Sequence, residues 1–297
     1  MDLRYATHPQ QLPSFDTEQL RAHYLVEDLF VPGRITATYT HHDRIVLGGA
    51  APAGEPLELP TYDALRADYF LANRELGIVN VGGPGTVTAD GQDFTLPSGA
   101  CLYIGRGTRS VVFAGPTGET DTAGVADDGG TDDTDGGAAS PGPQFYFFSA
   151  PAHTTHPTRL VLRGEGNALE LGDQLTSNRR TLNQYIHPDG IRSCQVMMGV
   201  TELHPGSMWN TMPAHTHDRR TECYLYFDLA PEARVIHLLG EPEQTRHLVV
   251  ADRQAVISPS WSIHSGVGTA AYSFVWAMAG ENQSFGDMDP APAVLLR

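Results

Sequence analysis

The chain of 297 residues contains no lysine, and all 19 of its basic residues are arginine, against 35 acidic residues and a formal net charge of −16. The missing lysine excludes Schiff-base chemistry and a lysine general base. The excess of acid argues against a nucleic-acid partner, because like charges repel. An acidic surface without lysine predicts a halophilic protein, although a GC-rich genome could also replace lysine by arginine.

Long apolar runs are missing as well, since no stretch approaches the ~20 residues that span a bilayer. The N-terminus "MDLRYATHPQQ" has no basic start followed by an apolar core, so no secretory signal is predicted. The three cysteines, Cys101, Cys194 and Cys223, are odd in number and too widely spaced for a metal clip or a disulfide framework. We therefore expect a cytoplasmic protein with free thiols and no membrane partner.

A content of 40% hydrophobic residues with 31 Gly and 21 Pro is typical of a mainly β globule. Helical signals are confined to "FDTEQLRAHYL" and "TYDALRADYF", and most other segments alternate with period two. The segment 116–143 has seven acids and no base, which predicts a disordered acidic loop. The strand-like segments "RSVVFAG" and "QFYFFSAP" flank it, so we expect it to be inserted in a hairpin.

The chain contains one weak internal repeat, which predicts two tandem β-barrels, 1–165 and 166–297. Pairing Pro97 with Pro259, and Glu75 with Glu222, sets the two halves side by side. The fold class is therefore predicted to be all-β, with a few short helices. The N-terminal barrel is expected to lack a metal site, because three residues replace the histidines of the second half: Asp68, Phe70 and Leu102.

The segment "MPAHTHDRRTECYLYF" concentrates metal-ligand chemistry in the second half. His215 and His217 are two residues apart and can face the same way in a strand. A turn would then bring in Glu222, and "ISPSWSIHSGVG" offers His264. Three imidazoles and one carboxylate suit Zn²⁺, Mn²⁺, Fe²⁺ or Ni²⁺. The alternative to a metal site is that these histidines are hairpin or core residues with ordinary hydrogen bonds.

This pattern resembles the cupin metal signature, HxHxxxxE followed by PxGxxH, with Trp261 in place of the second motif's glycine. Longer strings, among them "YTHHDRIVLGG", "LGDQLTSNRRT", "WNTMPAHTHDRR" and "GENQSFGDMD", are similar to the 5-keto-4-deoxyuronate isomerase family, the 4-deoxy-L-threo-5-hexosulose-uronate ketol-isomerases. The resemblance covers nearly the whole chain except the acidic segment. It implies a bicupin fold, a homo-oligomer (a hexamer), and one zinc ion per chain on His215, His217, Glu222 and His264.

The reaction implied by this resemblance moves a carbonyl from C1 to C2 of an open-chain uronate formed in pectin degradation. A metal ion would stabilise the enediolate, and a base is needed within ~3 Å of the transferred proton. The sequence does not identify that base; a metal-bound hydroxide, or an inward-facing acid such as Glu202, is a candidate. The substrate carboxylate predicts an arginine partner. Four candidates lie near the motifs, each with a surface or interface role as its alternative: Arg179, Arg180, Arg219 and Arg220.

Other polar and aromatic residues are expected to be structural. His41 and His42 have no acid at ligand spacing, and Tyr224, Tyr226 and Trp261 are predicted to line the barrel. Two rival functions use the same ligands, namely a bicupin dioxygenase with iron and a non-catalytic sugar-binding cupin. Reaction with O₂ would identify the first, and unchanged substrate the second.

Overall fold

The structure is a computed structural model that describes residues 1–116, 142–284 and 286–297. The acidic loop predicted at 116–143 falls almost wholly outside the described residues. Within them the chain is mainly β, as predicted, with one α-helix, α1, at Thr17–Tyr24. The Asp16 side chain caps α1 by accepting a hydrogen bond from Gln19 N. The second predicted helix is a single 3₁₀ turn, Asp63–Leu65, and further 3₁₀ turns lie at Pro9–Ser14, Gln174–Thr176 and Ala293–Leu295.

The strands in chain order are β1 (Asp2–Arg4), β2 (Leu25–Val26), β3 (Arg34–Thr40), β4 (Val46–Ala51), β5 (Leu57–Glu58), β6 (Arg74–Asn80), β7 (Gly85–Ala89), β8 (Gln92–Leu96), β9 (Cys101–Ile104), β10 (Val111–Ala114), β11 (Phe145–Pro151), β12 (Arg159–Val161), β13 (Asn167–Leu171), β14 (Arg180–Ile186), β15 (Met197–Leu203), β16 (Trp209–Asn210), β17 (Ala214–Thr216), β18 (Arg220–Phe227), β19 (Val235–Glu241), β20 (Gln244–Val250), β21 (Ala255–Ser258), β22 (Ser265–Gly268), β23 (Ser273–Gly280) and β24 (Asp289–Ala291). Among the described residues, no helix has the length and apolar character needed to span a bilayer.

The strands form two similar barrels, each made of a seven-stranded and a four-stranded sheet. The N-terminal pair has the orders β1-β3-β4-β11-β6-β9-β12 and β5-β10-β7-β8. The C-terminal pair has the orders β13-β14-β15-β23-β18-β21-β2 and β16-β22-β19-β20. The segments flanking the acidic loop are strands, but β10 and β11 lie in different sheets. The predicted hairpin is therefore wrong, because the chain passes from the small sheet to the large one at this point.

Each barrel has an apolar interior, and a third layer joins the two. Ile78 and Phe147 fill the N-terminal barrel, whereas Tyr226 and Phe274 fill the C-terminal one. The outer faces of the two large sheets pack against each other, and this layer contains Val79, Met198 and Leu225 together with other buried residues. Both faces of the central strands are therefore buried, and side chains one residue apart belong to different layers.

The pairing of Glu75 with Glu222 in the predicted repeat is wrong. Glu222 shares its face with Tyr224, inside the C-terminal barrel. Glu75 points into the layer between the large sheets, where its carboxylate accepts a hydrogen bond from Tyr103 OH and three from backbone N–H groups of the other half. Strand order equates β9 with β21, not with the segment after Pro259. Since side chains alternate, an error of one residue moves a side chain to the opposite face.

The three residues aligned with the histidines are not ligand-like in the structure. Phe70 and Leu102 belong to the apolar core of the N-terminal barrel, and Asp68 is exposed. That this barrel binds no metal stays a prediction.

The N-terminal segment crosses to the C-terminal barrel. Strand β2 pairs with β21 at the edge of the second large sheet, with Leu25 opposite Val256. Leu12, Leu20 and Tyr24 are buried in the core of that barrel. The division of the chain at residue 165 stays a proposal. The division is supported by the end of β12 at Val161 and the start of β13 at Asn167, on either side of residue 165. The N-terminal segment that crosses to the C-terminal barrel is the exception to this division.

Candidate metal centre

His215 and His217 are presented by a short strand, β17, which pairs with β24. His215 lies on β17, opposite Pro290, and His217 follows the end of the strand. Because alternate residues of an extended chain point the same way, both imidazoles face the same space. His217 is buried and His215 is half-buried.

The other two predicted ligands come from the walls of the barrel. Glu222 lies on β18, in the middle of the large sheet, and His264 immediately precedes β22 of the small sheet. Both side chains are buried. The large and small sheets therefore each contribute one ligand, and β17 brings the remaining two.

The structure brings these four side chains together around one point. The Nε2 atom of His215 lies 3.1 Å from Nε2 of His217 and 3.1 Å from Nε2 of His264. Glu222 Oε2 lies 3.1 Å from His217 Nε2 and 2.8 Å from His264 Nε2. All four ligand atoms are within 4.8 Å of one another. Such short contacts among lone-pair-bearing atoms are those of ligands that share one cation.

The charges of the cluster also fit a cation. Burial and the neighbouring His264 lower the pKa of His215 to about 3, which leaves its imidazole neutral at pH 7. Burial alone would raise the pKa of Glu222, but His264 and His217 outweigh this effect and hold the pKa low. Glu222 Oε2 is buried, and its close polar neighbours are the Nε2 atoms of His217 and His264. The residues therefore fit a divalent metal ion of the zinc, manganese, iron or nickel type.

A second set of contacts orients His217. Its Nδ1 lies 3.0 Å from the carbonyl oxygen of Asp287 and 3.0 Å from Nη2 of Arg220. Because Nε2 faces the cluster and needs its lone pair to bind a cation, we assign the proton to Nδ1, where it donates to the carbonyl of Asp287. This tautomer leaves the Nε2 lone pair for the cluster, which is the usual arrangement of a metal-bound histidine. Arg220 is buried beside it and donates to the carbonyls of Ser284 and Asp287, both at 2.9 Å.

A cavity of about 300 Å³ opens onto the cluster. Its wall is mostly apolar, and includes Leu182, Phe274 and Met278. The polar groups that face it, apart from the ligands, come chiefly from four residues: Arg180, Thr201, Tyr224 and Trp276. A mostly apolar pocket with a few placed polar groups is the usual form of a small-molecule site.

The four predicted arginines have different surroundings. Arg180 lines the cavity, half-buried, and donates to the carbonyl of Asn178 at 2.8 Å. Arg179 is exposed, and Arg219 forms ion pairs with Asp287 and Asp289. Arg220 lies behind His217, as described above. Among the four, Arg180 is placed to meet a bound molecule.

Glu202, considered above as an inward-facing base, does not face the cavity. It forms an ion pair with Arg163 at 2.7 Å, whereas its neighbour Thr201 lines the cavity. Side chains alternate across a strand, so Glu202 points to the opposite face of β15. This candidate for the base is therefore wrong.

The second histidine pair has contacts of a structural kind. His42 Nε2 accepts a hydrogen bond from Thr7 N at 3.2 Å, and burial together with His23 and His41 lowers the pKa of His42 to about 4. His41 stacks on Tyr5, with ring centroids 4.7 Å apart.

Sequence reasoning missed Thr201, Trp276 and the carbonyl of Asp287. Trp276 lies in the apolar segment "SFVWAMAG", where nothing distinguishes a cavity residue from a core residue. Thr201 occupies a strand with no motif. The carbonyl of Asp287 did have a sequence signal, since Asp287 lies in the string "GENQSFGDMD" that carries part of the family resemblance.

The sequence profile of the KduI/IolB family matches residues 30–291, nearly the whole chain. The chain belongs to this family. A protein from Kineococcus radiotolerans is 61% identical over 299 residues, covering all of both chains, and bears the name 4-deoxy-L-threo-5-hexosulose-uronate ketol-isomerase. A protein of the same name from Bacillus pumilus is 50% identical over 297 residues, again covering all of both chains.

Among solved structures, an IolB-like protein from Salmonella typhimurium LT2 has a TM-score of 0.66 at 16% identity. The match covers 90% of this chain and 96% of that one. At this identity the likeness shows the fold alone, and it agrees with the all-β architecture of this KduI/IolB family member.

Proposed function

We propose that this protein is a metal-dependent ketol-isomerase that converts 4-deoxy-L-threo-5-hexosulose uronate (5-dehydro-4-deoxy-D-glucuronate) into 3-deoxy-D-glycero-2,5-hexodiulosonate during the degradation of pectin-derived uronates. Identity of 61% over the full chain to a protein of that name supports the reaction. The observation that carries the proposal is the convergence of His215, His217, Glu222 and His264 beside a mostly apolar cavity.

The reaction is an internal redox transfer without external oxidant. The carbon-bound hydrogen of C2 is removed as a proton, a proton is added at C1, and the hydroxyl proton of C2 passes to the oxygen of C1, so that the carbonyl moves from C1 to C2. A bound divalent ion supplies Lewis acidity, which stabilises the negative charge that develops on the two oxygens. Zinc is the ion we propose, on the basis of three imidazoles and one carboxylate.

The protein's own groups hold and shield the reacting end. Apolar side chains around the cavity exclude water, which strengthens electrostatic interactions inside it. Tyr224 Oη lies 2.9 Å from Thr211 Oγ1 and faces the cavity. Burial and nearby Glu222 raise the pKa of Tyr224 well above its usual value, so Oη keeps its proton and can donate a hydrogen bond to a substrate oxygen.

A direct assay tests the reaction. The zinc-loaded protein is incubated with 4-deoxy-L-threo-5-hexosulose uronate, and ¹H NMR follows loss of the C1 aldehyde-hydrate signal and growth of the C1 hydroxymethyl signal. His264→Ala serves as the inactive reference. An oxygen electrode run in parallel identifies a dioxygenase, and binding without any change in the spectrum identifies a sugar-binding protein.

Three further expectations belong with this proposal. The chain is proposed to form a homo-oligomer, a hexamer by the family resemblance, to be located in the cytoplasm, and to be adapted to high salt. Sedimentation equilibrium of the zinc-loaded protein tests the first of these.

A further inference from the structure

Arg180 is a cation without an acidic partner in the described part of the chain. It lines the cavity, and its one hydrogen bond to protein, from Nη1 to the carbonyl of Asn178, leaves the rest of the guanidinium fork unused. Burial lowers the pKa of Arg180, which reflects the cost of leaving this charge uncompensated. A half-buried arginine with most of its donors unused is suited to an anion as its partner.

Two neutral groups in the same cavity also lack partners. Thr201 Oγ1 and Trp276 Nε1 are buried, line the cavity and form no hydrogen bond with any described residue. Buried polar groups are paired in most native structures, so unpaired ones facing a cavity indicate a bound partner. An indole N–H can only donate, and its partner must therefore be an acceptor oxygen.

These groups lie on a diagonal across the large sheet, because each is one strand further across and two residues further along than the one before it. Arg180 is on β14, Thr201 on β15, Trp276 on β23 and Glu222 on β18, and these four strands are consecutive in the sheet. Three strand spacings, about 14 Å, and an offset of about 20 Å along the strands separate the backbones of the outer two. Arg180 reaches in from one side and the metal ligands from the other, which leaves an extended acid to occupy the space between them.

We propose that Arg180 binds the substrate carboxylate and, with Thr201 and Trp276, makes the site specific for an open-chain uronate bound end to end. This assignment rests on the proposed isomerase function. C1 and C2 then lie at the metal ligands and C6 at the guanidinium. Thr201 Oγ1 and Trp276 Nε1 meet oxygens in the middle of the chain, such as the C5 carbonyl, and the C4 methylene lies against apolar wall.

The test compares the uronate with its neutral methyl ester in wild type, Arg180→Met and Arg180→Lys, with Arg179→Met as the matched control. Arg179 is the exposed neighbour and carries the same charge. We expect Arg180→Met to raise the KM for the uronate about 100-fold with a small change in kcat, because a charge-assisted contact is lost from both ground and transition states. KM for the ester should change little, and Arg180→Lys should fall between, since it keeps the charge but loses the fork.

Metal content and thermal unfolding are measured on every variant. A structural role for Arg180 would impair both substrates equally or release metal, and either result overturns the proposal, as does an unchanged preference for the uronate. If the wild type converts neither compound, the proposed reaction fails, and calorimetric titration with D-glucuronate and D-glucose still tests Arg180. Binding of glucuronate that disappears in Arg180→Met supports the assignment, and binding equal in both proteins, or absent from both, refutes it.

Discussion

The carboxylate of Glu75 connects the two barrels, and its replacement should destabilise the whole molecule. Oε2 accepts hydrogen bonds from Tyr103 OH at 2.8 Å and Cys194 N at 2.7 Å. Oε1 accepts them from Gln195 N at 2.7 Å and Val196 N at 2.8 Å. The side chain is completely buried, so water cannot replace any of these bonds.

In Glu75→Gln one oxygen remains for two of the donors, and the new NH₂ group faces the other two. The tyrosine hydroxyl can rotate and accept, but the N–H of Cys194 is left without a partner, which costs about 1–3 kcal/mol. The remaining bonds also lose their charge assistance, worth roughly half of each. We expect a total loss of about 3 kcal/mol in the free energy of unfolding, and more in Glu75→Ala, where all four donors lose their acceptor.

Urea unfolding followed by circular dichroism and by tryptophan fluorescence measures this loss. The control is Glu55→Gln, an exposed glutamate in the same half, which should shift the free energy by no more than about 0.5 kcal/mol. All three tryptophans are in the C-terminal half, so their fluorescence reports on the barrel that does not contain Glu75. Equal midpoints for Glu75→Gln and Glu55→Gln would refute the argument.

Three other predictions concern metal, acid and salt. His264→Ala should lose most bound zinc and all detectable isomerisation, as measured by elemental analysis and NMR. His247→Ala, which changes an exposed histidine, should keep both. Full metal content in His264→Ala would remove His264 from the ligand set. The pKa of His42 is about 4 in the folded protein and ~6.5 in the unfolded chain, so the unfolded state takes up the proton first as pH falls. Stability should therefore decline between pH 6.5 and 4, by at most about 3 kcal/mol from this group, and the slope should be shallower in His42→Gln. The melting temperature should rise from dilute buffer to molar KCl, because the Debye length falls from ~30 Å at 0.01 M to ~3 Å at 1 M and screens the net charge; a flat profile would instead favour the GC-rich explanation for the missing lysine.

The ligand set could be predicted because its signal is local. His215 and His217 are two residues apart, and Glu222 follows after one turn, so period-two geometry alone places three donors within reach of one another. The all-β class follows from the same periodicity. His264 was harder to place by spacing, since it comes from the opposite sheet; its own segment, "ISPSWSIHSGVG", made it a candidate, and the family resemblance implies the same residue.

The errors share one physical cause. In β6, β15 and β18 both faces are buried, so the sequence has no polar side that marks which way a residue points. The predicted repeat pairs Glu75 with Glu222, and Glu202 is a candidate inward acid, yet both side chains lie on the face opposite the barrel interior. The sequence could not show which of the four candidate arginines faces the cavity. Arg180 differs from the other three in having an unpaired charge in a cavity, and that cavity is formed by strands distant in sequence.

The crossing of β2 to the far edge of the second large sheet has a consequence for biosynthesis. Leu25 leaves the ribosome about 230 residues before its partner Val256. At roughly 5–20 residues per second, the N-terminal segment waits about 10–50 s for the strand it pairs with. Throughout that time Leu12, Leu20 and Tyr24 have no core to enter. The barrel that carries the metal ligands can therefore close only after Val256 has been synthesised, and until then these apolar side chains are exposed to aggregation.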